Sequence, residues 1–273
     1  MKAADLALWR KIEFNVLLAG LVVAGGLWGF VELLEVARDT TPHAFDTDLL
    51  LAFRVAGHPD DPIGPVWLEE AMRDLTALGS TSVLAFIAVA ALGYLLLAGY
   101  APLAALMLIA VVGGQILSSL LKLGIDRPRP ELVSHLAEVY TLSFPSGHAM
   151  LSAVTYLTLG SLMARAMPSR GLKAYVMVVA VAATLLVGVS RVYLGVHWPS
   201  DVLAGWCAGS AWAMLCWLVS RLLFARAASS PELGEGHPDA RHVTPAAPVS
   251  SDPAGKLPRR NDDGRAQPLQ PRR

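Results

Sequence analysis

The sequence FPSGH, Phe144–His148, is a short polar turn that opens one long apolar run, 145–164. It also closes the polar segment that follows another apolar run, 102–121. A helix needs ~20 apolar residues to cross the hydrocarbon core of a bilayer, and both runs reach that length. The turn therefore marks the point where the chain is expected to re-enter a membrane.

Apolar runs of this kind occur six times. The predicted spans are 14–34, 81–98, 102–121, 145–164, 174–189 and 202–224. Composition agrees with them, because 54% of the residues are hydrophobic and only 16% are charged, which is too apolar for an ordinary soluble domain. The first run exceeds the ~7–15 residues of a signal-peptide core, so we expect it to be retained. The sequence predicts an all-α, polytopic membrane protein with six transmembrane helices.

The segment between the first two spans, 36–79, mixes polar and apolar residues and predicts short interfacial helices. Its apolar and charged residues fall on opposite sides at helical spacing: Phe45, Leu49 and Phe53 against Asp46, Asp48 and Arg54. Asp46 and Asp48 are therefore expected on a solvated helix face.

Composition divides the chain into a six-span membrane domain, 1–226, and a tail, 227–273. The tail is dominated by Ser, Pro, Gly, Asp and Arg, and we expect it to be disordered. The distribution of Lys and Arg between the loops favours both termini inside the cell. The net charge is zero, and without a massed basic patch nucleic acid is not an expected partner.

Polar residues from three separate stretches lie at the ends of predicted spans. Lys122 ends the third span and His148 begins the fourth. Arg191 ends the fifth and Asp201 begins the sixth. Because consecutive spans alternate in direction, all four residues must emerge at the same membrane face. The sequence therefore predicts one composite site.

The cations of this site predict an anionic ligand. Lys122, Arg129 and Arg191 bring three positive charges to the edge of an apolar region, where unpaired charges are costly. The planar fork of arginine suits phosphate oxygens. Ser146 and Gly147 open a helix and offer a hydroxyl and backbone N–H groups to the same anion. These five residues are the predicted phosphate-binding set.

Two histidines predict the chemistry. His197 precedes Asp201 by four residues, close to one helical turn. A carboxylate on one imidazole nitrogen leaves the other free to attack, so His197 is the expected nucleophile and Asp201 its orienting partner. His148 is expected to protonate the leaving oxygen and then to take a proton from water.

Three motifs carry a resemblance to a known family: Lys122-x6-Arg129-Pro130, Pro145-Ser146-Gly147-His148 and Ser190-Arg191-x5-His197-x3-Asp201. In order and spacing they resemble those of the type 2 phosphatidic acid phosphatases, lipid phosphatases whose site is similar to that of vanadium haloperoxidases. The six-span layout resembles that family over roughly 10–225. The resemblance implies a phosphohydrolase without metal or cofactor that works through a phosphohistidine at the extracytoplasmic face of a bacterial inner membrane.

The same resemblance implies a lipid phosphate as substrate and membrane lipids as partners. Undecaprenyl diphosphate, phosphatidylglycerol phosphate and phosphatidic acid all fit it. Transfer of phosphate from a lipid diphosphate to an acceptor other than water uses the same residues and stays open.

Three other functions compete with this interpretation. A serine hydrolase would use Ser146 as nucleophile, although a Gly-x-Ser-x-Gly elbow is missing. A metal enzyme would use His148, His197 and Asp201 as ligands. A transporter of anionic lipid would place charges along a pathway, whereas here they cluster at the ends of spans.

Four further residues lie within or near the motifs. Arg127 is equally compatible with a second phosphate contact and with a surface charge. Trp198, Tyr140 and Tyr193 are expected to be interfacial anchors rather than substrate contacts.

Overall fold

The computed structural model describes the backbone of residues 3–39, 41–137 and 141–229, and within these ranges the side chains of 16–39, 41–137 and 141–222. This part of the chain is mostly helical, with eight helices and one small antiparallel hairpin. The elements are α1 (Ala3–Arg38), α2 (Ala44–Leu51), β1 (Arg54–Val55), β2 (His58–Pro62), α3 (Val66–Ala77), α4 (Thr81–Leu97), α5 (Ala101–Leu123), α6 (Gly147–Ala166), α7 (Arg170–Tyr193) and α8 (Pro199–Ser229).

Four of the helices are long and apolar enough to cross a membrane. They are Val16–Arg38 of α1, Ala101–Leu123, Arg170–Tyr193 and Pro199–Leu222 of α8. Helices α3 and α4 meet at a 50° bend and together would make a fifth span. Each of the six predicted apolar runs falls mainly within one helix, and four or five of the six are long and apolar enough to be spans.

Helix α6 is the most enclosed of the long helices, because α5, α7 and α8 all pack against it. Its buried face carries the hydroxyls of Ser152, Thr155 and Thr158. These hydroxyls make α6 less apolar than the other long helices. They are buried against protein, so they need not contact lipid. In α6 the hydroxyl of Ser152 donates to the carbonyl of Ala149 at 3.0 Å, which satisfies it locally.

Two glycines of α8 allow that helix to approach α6 closely. A Cβ on Gly205 would lie 2.7 Å from the carbonyl oxygen of Ser146, and one on Gly209 would lie 2.5 Å from that of Met150. Small residues at membrane helix interfaces commonly permit such backbone contact. The contact brings the first turn of α8 beside the first turn of α6, and this juxtaposition forms the site.

The expectation that Asp46 lies on a solvated face is wrong. Helix α2 buries Asp46 and Leu50, while Phe45 is 53% exposed and Leu49 is 40% exposed. Asp46 turns inward because a buried arginine, Arg127, provides its partner. The apolar face turns outward, which suits a protein whose surroundings are hydrocarbon. Asp48 is exposed, as expected.

The segment 36–79 forms the short helices α2 and α3, so the prediction of short helices there is confirmed. The β1–β2 hairpin within it was not predicted. Arg54, which was placed on the outer charged face, is buried instead, and its guanidinium donates to the carbonyl of Tyr193 at 2.9 Å. At the other end of the chain α8 continues to Ser229, and the predicted disordered tail beyond it lies outside the described residues.

Candidate active site

His197 lies in the tight connection between α7 and α8. Gly195 has a φ of +73°, and a side chain there would meet Arg54 and Val133 at 2.7 Å, so glycine is required at this turn. The turn directs His197 inward, where it is only 2% exposed.

The two ring nitrogens of His197 face different partners. Nδ1 lies 3.5 Å from Oδ2 of Asp201 and 3.4 Å from Oγ of Ser143. Nε2 lies 3.2 Å from Nη1 of Arg129. This arrangement fits the tautomer with its proton on Nδ1, which leaves the Nε2 lone pair directed at the cations.

Burial dominates the charge state of His197. It lowers the pKa of His197 to about 3, against the opposing effect of the nearby Asp201 carboxylate. The positive charges of Arg191 and Arg129 lower it further. The imidazole is therefore neutral at pH 7, which a nucleophile requires.

Asp201 is fixed by the start of α8. Pro199 is the first helical residue, and the Asp201 carboxylate accepts the backbone N–H of Trp198 at 3.0 Å, the return half of a capping box. The same oxygen accepts the hydroxyl of Ser143, and the other accepts Nη1 of Arg127 at 2.6 Å. The carboxylate is fully buried and held from three sides.

Arg127 is buried, so the interpretation of it as a surface charge is wrong, and its guanidinium contacts two carboxylates and a serine hydroxyl. It is 5% exposed and donates to Asp201, to the hydroxyl of Ser200 at 2.7 Å and to Oδ2 of Asp46 at 2.8 Å. Its guanidinium also lies 5.8 Å from the centre of the Trp198 ring. Pro128 follows it and, with Pro130, keeps this stretch out of a helix.

Arg129 lies at the opening of the site. Its Nε donates to the carbonyl of Thr141 at 2.8 Å, and Nη1 also donates to the carbonyl of Val196. Burial lowers the pKa of Arg129, but arginine starts so high that it stays charged.

Lys122 and Arg191 reach the site from the ends of α5 and α7. Lys122 Nζ donates to the carbonyl of Leu142 at 2.9 Å. Its side chain passes close to the first turn of α6, since a Cβ added to Gly147 would lie 3.5 Å from Lys122 Cε. Arg191 donates from Nη1 to the hydroxyl of Thr76 at 3.0 Å, while its buried Nε has no hydrogen-bond partner among the described residues. Within those residues, neither cation pairs with a carboxylate, nor does Arg129.

The first turn of α6 supplies further donors. Ser146 is the N-cap, and its backbone N–H donates to the carbonyl of Asp201 at 3.0 Å. Its hydroxyl is buried without a partner in the described part of the chain. The first N–H groups of a helix have no intrahelical acceptor, which makes the turn beginning at Gly147 a natural anion site.

His148 lies in this first turn, within the electrostatic field of Arg191, His197, Lys122 and Arg129. The corner between α3 and α4 closes over it. A Cβ on Gly79 would lie 3.2 Å from that of His148, so glycine permits the close approach.

The structure thus brings all eight predicted site residues to one face of the helical assembly. Sequence reasoning missed Ser143, Thr76, Ser200 and the inward role of Asp46, because a serine, threonine or aspartate in a polar loop gives no distinguishing pattern. Sequence reasoning was wrong about two aromatic residues, because Trp198 and Tyr193 are buried rather than interfacial. Tyr140 lies outside the described residues.

Comparison with known proteins identifies the family. The model of the PAP2 superfamily matches residues 102–224, which contain all three motifs. Phosphatidylglycerophosphatase B of Bacillus subtilis is 35% identical over 144 residues, covering 52% of this chain and 70% of that protein. The chain belongs to the PAP2 superfamily. The resemblance found in the motifs is therefore confirmed.

A second comparison extends the PAP2 likeness to the fold. The crystal structure of a transmembrane PAP2-type phosphatidylglycerolphosphate phosphatase from Bacillus subtilis aligns with a TM-score of 0.66 and 27% identity, covering 74% of this chain and 96% of that one. An undecaprenyl-diphosphatase of Sulfolobus acidocaldarius is 38% identical over 68 residues, which are 25% of this chain and 29% of that protein. With its apolar helices, this PAP2 chain is a membrane protein of a lipid phosphatase family.

Proposed function

We propose that the protein hydrolyses a lipid phosphate or diphosphate through a phosphohistidine on His197. The observation that carries the proposal is the geometry of this imidazole. Nδ1 faces a fixed carboxylate, and Nε2 faces a group of cations without described carboxylate partners. A phosphoryl group placed there would meet both a nucleophile and its charge stabilisers.

The reaction follows from this placement in two steps. His197 Nε2 attacks phosphorus, the bond from phosphorus to the lipid oxygen breaks, and His148, which enters the step as an imidazolium beside the bound phosphate anion, gives that oxygen a proton. Water then attacks the phosphoryl group, His148 takes a proton from it, and the P–N bond breaks to release phosphate. During both steps charge on the oxygens is stabilised by the phosphate-binding set: Lys122, Arg129, Ser146, Gly147 and Arg191.

The competing serine-hydrolase and metal-dependent chemistries receive less support from the site. Ser146 Oγ has no hydrogen bond to a histidine within the described residues, and a serine nucleophile needs one. A metal site using Asp201 would have to displace Arg127, Ser143 or the N–H of Trp198 from its carboxylate. We therefore propose that the reaction needs no metal and no cofactor. Phosphotransfer uses the same residues and differs only in the acceptor.

For topology we propose six spans, with both termini inside and the site at the periplasmic face of a bacterial inner membrane. Helix α4, with 17 residues, continues the bent α3 into the apolar layer. Its exposed side chains include Phe86 and Leu97, which suit contact with lipid. The enclosed position of α6 explains how it crosses despite its hydroxyls. We propose a membrane domain that ends with α8 at Ser229, three residues beyond the predicted boundary, followed by a disordered tail.

For substrate we propose phosphatidylglycerol phosphate first, because two relatives are named for it or for its phosphatase activity. Undecaprenyl diphosphate and phosphatidic acid are the next candidates. The test is phosphate release by purified protein from these three lipids, with vanadate and chelator arms. We expect release that vanadate blocks and chelators leave unchanged. Release at wild-type rate by His197→Ala, or its loss on chelation, would contradict the mechanism.

A further inference from the structure

We propose that Asp46 and Arg127 are positioning residues for the reaction: Asp46 fixes Arg127, and Arg127 fixes the carboxylate of Asp201 against His197. The inference rests on the proposed function and adds to it two residues that do not contact the phosphate. Asp46 belongs to α2, outside the stretch 102–224 that matches the family model.

The contacts form one continuous buried chain. Asp46 Oδ1 accepts the backbone N–H of Ser200 at 2.8 Å, and its Oδ2 accepts the Ser200 hydroxyl at 2.6 Å. That same Oδ2 accepts Arg127 Nη2 at 2.8 Å. Arg127 Nη1 then donates to Asp201 Oδ1 at 2.6 Å. Asp201 Oδ2 lies 3.5 Å from His197 Nδ1, where the chain reaches the nucleophile.

Each carboxylate oxygen has a separate task in this chain. Arg127 occupies Oδ1 of Asp201, and so the carboxylate cannot rotate without breaking a charge-assisted hydrogen bond. Oδ2 is thereby left facing His197. Because Asp46 and Ser200 hold the guanidinium from behind, Arg127 cannot follow a rotation of Asp201. Asp46 and Arg127 thus add a restraint on Oδ1 to those that the hydroxyl of Ser143 and the N–H of Trp198 place on Oδ2, and the orientation of the imidazole depends on both.

The positive charge of Arg127 also helps to keep the Nδ1 proton on the ring of His197. When His197 forms its bond to phosphorus the ring becomes cationic, and the Nδ1 proton must stay on the ring with Asp201 as acceptor. A guanidinium beside Asp201 stabilises the charged carboxylate and opposes transfer of that proton to it. Loss of the Asp46–Arg127 contact would weaken both orientation and tautomer control.

The experiment compares Asp46→Asn with Asp48→Asn, a matched control two residues along α2 whose side chain is exposed. Asparagine at 46 removes the charge and turns an N–H₂ group towards Arg127 or Ser200. Turnover of phosphatidylglycerol phosphate in detergent micelles and inhibition by orthovanadate are measured on both. The tautomer of His197 is read from imidazole ¹⁵N shifts on the same samples, with His197→Gln for assignment, and needs no substrate.

We expect Asp46→Asn to lower kcat on the order of 10²-fold, the usual cost of misplacing a catalytic group by about 1 Å. The vanadate inhibition constant should stay within about twofold of wild type, since the phosphate-binding residues are untouched. The Nδ1–H tautomer should dominate in wild type and Asp48→Asn and become a mixture in Asp46→Asn. A tautomer population in Asp46→Asn equal to that of Asp48→Asn overturns the proposal, whatever the turnover.

Ser200→Ala decides the question by the same criteria if Asp46→Asn does not give folded protein. It keeps every charge and removes the hydroxyl that joins Asp46 to Arg127. A smaller fall in kcat and a partial shift of tautomer support the proposal, and an unchanged tautomer overturns it. A wild type that releases no phosphate contradicts the proposed function alone, because the tautomer still reports on the positioning chain.

Discussion

Arg127 and Arg191 are two arginines of one site that are buried to almost the same degree, 5% and 4% exposed, yet their partners differ completely. The guanidinium of Arg127 is bound by two carboxylates and a serine hydroxyl. That of Arg191 donates to one threonine and leaves Nε without a described partner. Burial alone therefore does not distinguish an arginine that holds the site together from one that is available to a ligand.

The difference in pairing separates the site into two halves. The half around Arg127 is electrically satisfied by the protein itself, as buried charges generally must be. The half around Arg191 contains two buried donors, the Ser146 hydroxyl and Arg191 Nε, that have no hydrogen-bond partner among the described residues. An anion of tetrahedral shape with several oxygens is the acceptor that this second half fits.

Asp201 joins the two halves, and its substitution is expected to have the largest effect on activity. Asp201→Asn removes the charge that both Arg127 and His197 face, and we expect kcat to fall by about 10⁴-fold, as for the equivalent change in a serine protease triad. Initial rates of phosphate release measure it. The control is Asp126→Asn, an exposed carboxylate in the adjoining loop. Equal rates in the two variants would remove Asp201 from the mechanism.

Arg127→Met tests the satisfied half through stability. Removing one partner of a buried ion pair costs about 3–5 kcal/mol, and here two carboxylates would be left uncompensated. The solvent-accessible pair of Arg73, which is exposed, and Glu69, which is partly exposed, gives the control, since Arg73→Met should cost no more than about 1 kcal/mol. Denaturant unfolding in detergent measures both variants. Similar losses in the two would show that Arg127 does not hold the site together.

Arg191→Met tests the unsatisfied half through activity. We expect kcat/KM to fall by about 10²–10³-fold, the usual effect of losing one donor to transition-state charge. Vanadate inhibition should weaken with it, while unfolding stays at or above wild-type stability because no ion pair is broken. Arg170→Met, at the exposed start of α7, is the control. If Arg191→Met lost stability and kept its inhibition by vanadate, Arg191 would be a structural residue rather than one that binds the anion.

Thr76→Val gives a smaller effect on the same half. The Thr76 hydroxyl accepts Nη1 of Arg191, and a single hydrogen bond is worth about 0.5–1.5 kcal/mol, so KM should rise by about two- to tenfold. Steady-state kinetics against Thr81→Val, an exposed threonine at the start of α4, measures it. An unchanged KM would show that α3 does not orient Arg191.

Protonation of the His197 ring should differ little from that of an ordinary histidine at neutral pH and clearly in acid. An ordinary histidine, with a pKa near 6.5, is mostly protonated at pH 5. Because burial lowers the pKa of His197 to about 3, its ring should stay neutral there and charge only well below pH 5. Imidazole ¹⁵N shifts over a pH series check this. A midpoint near pH 6.5 would show that the ring is solvated rather than enclosed.

The sequence predicted the motif residues of the site, most of which belong to the half around Arg191. Span parity alone placed Lys122, His148, Arg191 and Asp201 at one face, because direction alternates with each crossing and the motif residues lie at span ends. The helical character also followed from composition. The predicted count of six spans rested on apolar length alone. The structure supports four or five of them by that measure, since α6 gains its stability from packing rather than hydropathy.

The network behind Asp201 was not predictable in the same way. Asp46 and Arg127 are 81 residues apart in sequence, and neither has a partner at helical or strand spacing. The alternation of apolar and charged residues in α2 suggested a solvated charged face, as in a water-soluble helix. The structure instead buries Asp46 with Leu50 and leaves Phe45 and Leu49 exposed beside Asp48. Tertiary pairing decided the orientation.

Trapping the phosphorylated enzyme tests the central claim most directly. Purified protein is quenched during turnover of a ³²P-labelled lipid phosphate, and the label on the protein is tested for stability in acid and in alkali. We predict an acid-labile, alkali-stable label that is absent from His197→Ala and present in Asp48→Asn. A label that survives acid, or one that persists in His197→Ala, would contradict a phosphohistidine at this residue.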